Sequence, residues 1–135
     1  AIAAAEGIVV CPSNPLISIG PILAVPGVRE ALRQRRERVV AVCPIVGGKS
    51  LKGPTDKMMR QLGFEVSALG VARMYCDFAG TLVIDTEDAA QQREIEALGM
   101  NVVMGCTMMM TTEDKERLAR EVSRVLGVGC GGKKF

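Results

Sequence analysis

Short apolar runs rich in β-branched residues alternate along the chain with stretches of helical periodicity. The runs GIVVC (7–11), RVVAVC (38–43), TLVID (81–85) and NVVMG (101–105) each give way to polar or Gly/Pro punctuation, which predicts buried strands. Between and after them, helices are predicted over Val28 to Arg36, Asp56 to Leu62, Asp88 to Leu98 and Glu113 to Leu126, the last with Leu118, Val122 and Val125 on one face. Strand alternating with helix implies a layered α/β domain around a mainly parallel sheet.

Several boundaries are spelled out by their chemistry. Gly63 and Gly99 stand where helices end and a left-handed residue is favoured. Thr86 leads Glu87 and Asp88 into one helix, and Thr111 with Asp114 predicts a capping box for another. Residues 1–126 form the predicted folded unit, and the glycine-rich segment 127–135 is predicted to be a flexible tail. Ala1 to Glu6 reads as the end of a helix running straight into the first strand, so the chain is expected to be the carboxy-terminal portion of something longer.

Composition narrows the chemistry. Seventeen basic and fifteen acidic side chains leave a formal charge of +2, so bulk electrostatics favour neither nucleic acid nor a membrane surface. The longest uncharged stretch, Gly7 to Val28, is broken by Pro12, Pro15, Pro21 and Pro26 and is not a membrane span. The start of the sequence does not read as a secretory signal. Five cysteines without a CxxC pair, set among apolar neighbours, suit reduced buried thiols in a cytoplasmic protein. The absence of histidine excludes Ser-His and Cys-His nucleophilic catalysis within this chain.

Two loops behind predicted strands could carry a ligand, because open parallel sheets collect ligands beyond the carboxyl ends of their strands. In VVCPSNPLISIGPILAVPG (9–27) the prolines fix the backbone and leave Ser13, Asn14, Leu16, Ile17, Ser18, Ile19 and Gly20 as donors. Such a loop could receive a phosphate, or it could be an ordinary turn with Ser18 as a helix cap. The second loop, CPIVGGKSLKGPTDK (43–57), nearly spells a P-loop, but Cys43 stands in place of the first glycine. It retains Gly47, Gly48, Lys49, Lys52 and Gly53, with Thr55 placed to cap the next helix, and could equally be a solvated turn. Among the acids, capping accounts for Asp85 to Asp88, which leaves Asp77 as the metal candidate. The methionines at 108–110 could line a pocket or fill a core, and Arg29, Arg33, Arg35, Arg36 and Arg38 read as a solvated helical face.

The stretches CPSNPLISIGPILAVPGVREAL, VVAVCPIVGGKSLKGPTDKMMRQLGFEVSALGVARMY and LVIDTEDAAQQREIEALGMNVV together resemble the 2-phospho-L-lactate transferase family of coenzyme F-420 biosynthesis. The resemblance implies a three-layer, mainly parallel Rossmann-like sheet, truncated on its amino-terminal side. It implies transfer of a phospholactyl or phosphoenolpyruvyl group from a guanosine-diphosphate-activated donor to the deazaflavin Fo, with loss of GMP and with Mg²⁺ as metal. Carried over by position, Ser13, Asn14 and Ser18 would cradle the donor's phosphates, and Gly47, Gly48, Lys49 and Lys52 would complete the anion pocket or meet the acceptor. The sequence departs from the family pattern at Cys43, where serine is usual, and at Cys106, where an acid is usual. The chain alone is expected to transfer little or nothing. Two alternatives stand beside this reading. One is a non-catalytic nucleotide- or sugar-nucleotide-binding protein of related fold. The other is a structural piece whose apolar edge pairs with the missing portion or with a second copy as a homodimer.

Overall fold

Four of the apolar runs form one parallel sheet. The computed structural model describes residues 1–128, and most of the expected flexible tail, 129–135, lies outside the described residues. After a single 3₁₀ turn at Ile2–Ala4, strand β1 spans Ile8–Val10. A π-helical turn, Pro15–Ile19, runs into the short helix α1 (Gly20–Leu23) and then α2 (Val28–Arg33). Strand β2 (Val39–Val42) is followed by a small hairpin, β3 (Ile45–Val46) and β4 (Lys49–Ser50), and by helices α3 (Thr55–Gln61) and α4 (Ala68–Tyr75). Strand β5 (Thr81–Asp85), a 3₁₀ segment Thr86–Gln91, α5 (Gln92–Ala97), β6 (Asn101–Gly105) and α6 (Thr112–Val125) complete the described fold.

The main sheet has the order β1-β2-β5-β6, with every pairing parallel. Strands β2 and β5 are buried along their whole length, as a sheet covered on both faces requires. Alternate residues serve opposite layers. Val39, Ala41, Leu82 and Ile84 face a core with Leu32, Leu69, Tyr75 and Ile95 from α2, α4 and α5. Val40, Val42 and Val83 face Leu118 and Val122 of α6. Each Val, Leu or Ile side chain among them contributes about 1.5–3 kcal/mol when fully buried. The result is the expected three-layer Rossmann-like arrangement, and no helix among the described residues is long and apolar enough to cross a membrane.

Some expected elements change. The opening segment is one 3₁₀ turn and not a helix end. Helix α2 stops at Arg33, and the helix expected from Asp88 begins as 3₁₀ at Thr86 and becomes α-helical only at Gln92. Its cap is Asp85, whose side chain accepts from the Glu87 amide, in place of Thr86. Helix α3 has Pro54 at its N-cap, and Thr55 lies inside the helix, buried. The capping box of Thr111 and Asp114 forms as the sequence predicts. Gly63 and Gly99 adopt left-handed conformations past their helices. Gly127 and Val128 bond back to Arg124 and Ser123, so the first residues of the expected tail close α6.

Four of the five arginines expected on a solvated face, Arg29, Arg33, Arg35 and Arg36, instead fasten elements together. Arg29 holds both oxygens of Asp77 at 2.8 Å, and Arg33 holds one of them. Arg35 donates to the carbonyls of Ile2 and Ala3. Arg36 donates to the carbonyls of Cys76 at 2.7 Å and Gly99 at 2.5 Å.

Candidate functional site

Beyond the carboxyl ends of β1, β2 and β6 lies a cleft of about 240 Å³, built from three stretches far apart in sequence. Pro12, Ser13 and Asn14 come from the first loop, Pro44, Leu51, Lys52 and Thr55 from the second, and Met108 to Met110 with Lys115 from the approach to α6. The position is the one expected for a ligand in a parallel sheet of this kind.

The first loop is ordered by Asn14. Its Oδ1 accepts from the amides of Leu16 at 2.9 Å and Ile17 at 3.3 Å. Its carbonyl accepts from Ser18 and Ile19, both at 3.0 Å, and the Gly20 amide bonds to Pro15. These amides, expected as phosphate donors, are therefore spent inside the π-helical turn. Among the described residues nothing accepts from the Ser13 and Asn14 amides, so the usable donors are those two and the Ser13 hydroxyl. The Asn14 side-chain amide meets only the Met58 sulfur, at 3.5 Å, a weak acceptor. Ser18 neither caps a helix nor lines the cleft.

The second loop divides. Gly47 and Gly48, both with positive φ (58° and 76°), form the two-residue turn of the β3–β4 hairpin, a conformation that glycine adopts without steric cost. The Gly47 amide donates to Asp88 Oδ2 at 3.2 Å, which directs the turn toward the 3₁₀ segment. Gly47, Gly48 and the exposed Lys49 do not line the cleft. After β4 the Ser50 hydroxyl lies within hydrogen-bond reach of the Gly53 carbonyl and Asp56 Oδ1, at 2.8 Å and 3.0 Å. This tie folds the chain back and brings Leu51 and Lys52 to the cleft.

The remaining candidates find structural roles. Asp77 is bound by Arg29 and Arg33. Burial pushes its carboxyl up, but the two guanidiniums outweigh that and hold it below the usual carboxylate range. A carboxylate neutralised in this way has little charge to offer a divalent cation. Asp85, buried, accepts from the Thr107 amide at 2.9 Å and from the Glu87 amide at 3.1 Å. Burial pushes it up, and these amides with the Thr107 and Thr86 hydroxyls more than reverse the effect. Asp85 thereby anchors the strand end from which the methionines emerge. Cys43 is fully buried, and burial pushes its thiol up to about 12, so it is a neutral core group. Cys11 and Cys106 are exposed, against the expectation of buried thiols.

Of the sequence-predicted site residues, Ser13, Asn14 and Lys52 come together, whereas Ser18, Gly47, Gly48, Lys49 and Asp77 do not join them. Lys115 and Leu51 were missed, and the methionines prove to line the cleft, with Met110 79% exposed. Lys115 carried a readable signal. The positions three and four residues away along its helix are Thr111, Thr112, Leu118 and Ala119, so no acid shares its face.

A sequence model of the family described as 2-phospho-L-lactate transferase CofD matches residues 1–125. Among curated proteins, the chain is similar to 2-phospho-L-lactate transferase of Methanosarcina mazei, 44% identical over 117 residues that make up 87% of this chain and 38% of the relative. It is 39% identical over 125 residues to the protein of that name from Methanosarcina acetivorans, covering 93% of this chain and 40% of the relative. The corresponding protein of Methanothermobacter thermautotrophicus is 43% identical over 120 residues, 89% of this chain and 39% of the relative. The chain thus spans less than half the length of these relatives.

Proposed function

Because the chain belongs to the 2-phospho-L-lactate transferase family, we propose that it is part of an enzyme that moves a phospholactyl or phosphoenolpyruvyl group from a guanosine-diphosphate-activated donor to the deazaflavin Fo, releasing GMP. The observation that carries this reading is the convergence of Ser13, Asn14 and Lys52 from two strand-end loops on one cleft. Phosphoryl-type transfer asks mainly for charge neutralisation and alignment, which need no histidine. In this reading the Ser13 hydroxyl and the amides of Ser13 and Asn14 hold phosphate oxygens, Lys52 neutralises them, and Leu51 with the methionines keeps water from one side of the ligand.

The residues present do not fit magnesium. The cleft lining offers hydroxyls, thioethers and two lysines but no carboxylate, and no group of three or more metal-binding side chains exists among the described residues. No step is therefore routed through a metal held by this chain. Its part in the reaction is to bind and orient, and the chain alone is expected to transfer little. A cytoplasmic location and association into homodimers belong to the same proposal.

Isothermal titration of the purified chain tests it. GDP should bind more tightly than UDP-glucose, and Ser13→Ala should weaken GDP about ten-fold, the usual loss of a hydrogen bond to a charged group. Preference for UDP-glucose would instead favour a non-catalytic sugar-nucleotide-binding protein, and an unchanged GDP affinity in Ser13→Ala would remove the cradle role from this loop.

A further inference from the structure

Lys115 stands in the first turn of α6, exposed, on the wall that separates the cleft from a shallower apolar groove beneath the same helix. It shares the lining of the cleft with Met108 to Met110 and, from the second loop, with Lys52. The other cations of α6 near it are spent. Arg117 pairs with Asp114 at 3.4 Å and with Glu121 at 3.9 Å, and Arg120 pairs with Glu116 at 3.4 Å. Neither Lys115 nor Lys52 has an ion-pair partner among the described residues. Of the acids adjacent in sequence, Glu116 is engaged by Arg120, and Asp114 is engaged by Arg117 and by the Met110 and Thr111 amides, from which it accepts at 3.0 Å.

Two lysines and no carboxylate line this small cleft, and the nearby Asp114 is already engaged by Arg117 and backbone amides, so the balance of charge at the cleft is positive, while the net charge of the chain is only +2. A lysine stem can lie along methionine side chains and still turn its ammonium toward a ligand. We propose that Lys115 is a second cationic contact of the cleft, acting with Lys52 as a two-point clamp for the diphosphate group of a nucleotide. The proposal rests on the nucleotide reading above only for the identity of the ligand's remainder. The clamp itself requires only a diphosphate.

Inorganic pyrophosphate, titrated against the purified chain by NMR, isolates that requirement. Lys115→Gln and Lys52→Gln should each weaken pyrophosphate about ten-fold, Lys115→Arg should retain most of the affinity, and Arg120→Gln, on a paired cation of the same helix, should leave it unchanged. Circular dichroism should register no loss of helix, since Lys115 is exposed. GDP should follow the same order. The proposal is overturned if the parent chain binds no pyrophosphate, if Lys115→Gln binds it as tightly as the parent, or if Arg120→Gln loses as much. Should pyrophosphate follow this order while GDP binds no better than UDP-glucose, the clamp stands and the guanine-nucleotide reading falls.

Discussion

Asp77 accepts hydrogen bonds from Arg29 on both carboxylate oxygens and from Arg33 on one, with the Arg29 guanidinium also 5.4 Å from the centre of the Phe78 ring. The carboxyl is held below its usual range, so its contribution to stability is present above the unfolded value, near 3.9, and is lost as pH falls through the lower folded value. Asp85 is depressed in the same direction and adds to the same loss. The urea midpoint should therefore hold steady down to about pH 5 and drop progressively below it, and Asp77→Asn should flatten part of that dependence. At neutral pH the same substitution should cost about 1–2 kcal/mol, because it leaves two guanidiniums facing each other. A midpoint whose pH dependence is identical in the variant would show that the cluster contributes nothing. In the sequence Asp77 had no local explanation, since both its partners lie more than 40 residues away.

At the scale of elements, what could be read depended on where the information lay. Helix α6 was legible because one face is apolar and the other charged, and because Thr111 and Asp114 cap each other's backbone within one turn. Thr111→Ala should cost about 1 kcal/mol, seen as a lower urea midpoint, and an unchanged midpoint would mean that the box contributes nothing. Helix α4 escaped notice because six of its eight residues are buried, which erases the periodic contrast. Its one local signal was Ser67, whose hydroxyl accepts from the Gly70 amide at 2.9 Å. The β3–β4 hairpin was hidden by the near P-loop spelling of the same residues. Gly-Gly between Ile45–Val46 and Lys49–Ser50 is equally a hairpin signature, and the pairing of Val46 with Lys49 decides for it.

At the scale of the whole molecule, the parallel sheet follows from strand runs that each carry their own signal, whereas the cleft depends on residues about 100 positions apart meeting at one sheet end. Local patterns could propose the two loops. They could not say that Lys52 reaches the cleft while Lys49 turns away, or that Lys115 joins it, because both outcomes depend on how the hairpin and α6 are seated on the sheet. That assembly also gives the cleft a wall of consecutive thioethers, with Met108 38% and Met110 79% exposed. Exposed methionines oxidise to sulfoxides, which are polar and reversible by reductases, so the site carries a chemical clock. Ageing in air should weaken the proposed GDP binding while the Thr111-capped helix and the buried core keep their circular dichroism, and methionine sulfoxide reductase should restore the affinity. Preparations handled under reducing and oxidising conditions would then differ in ligand affinity without differing in fold.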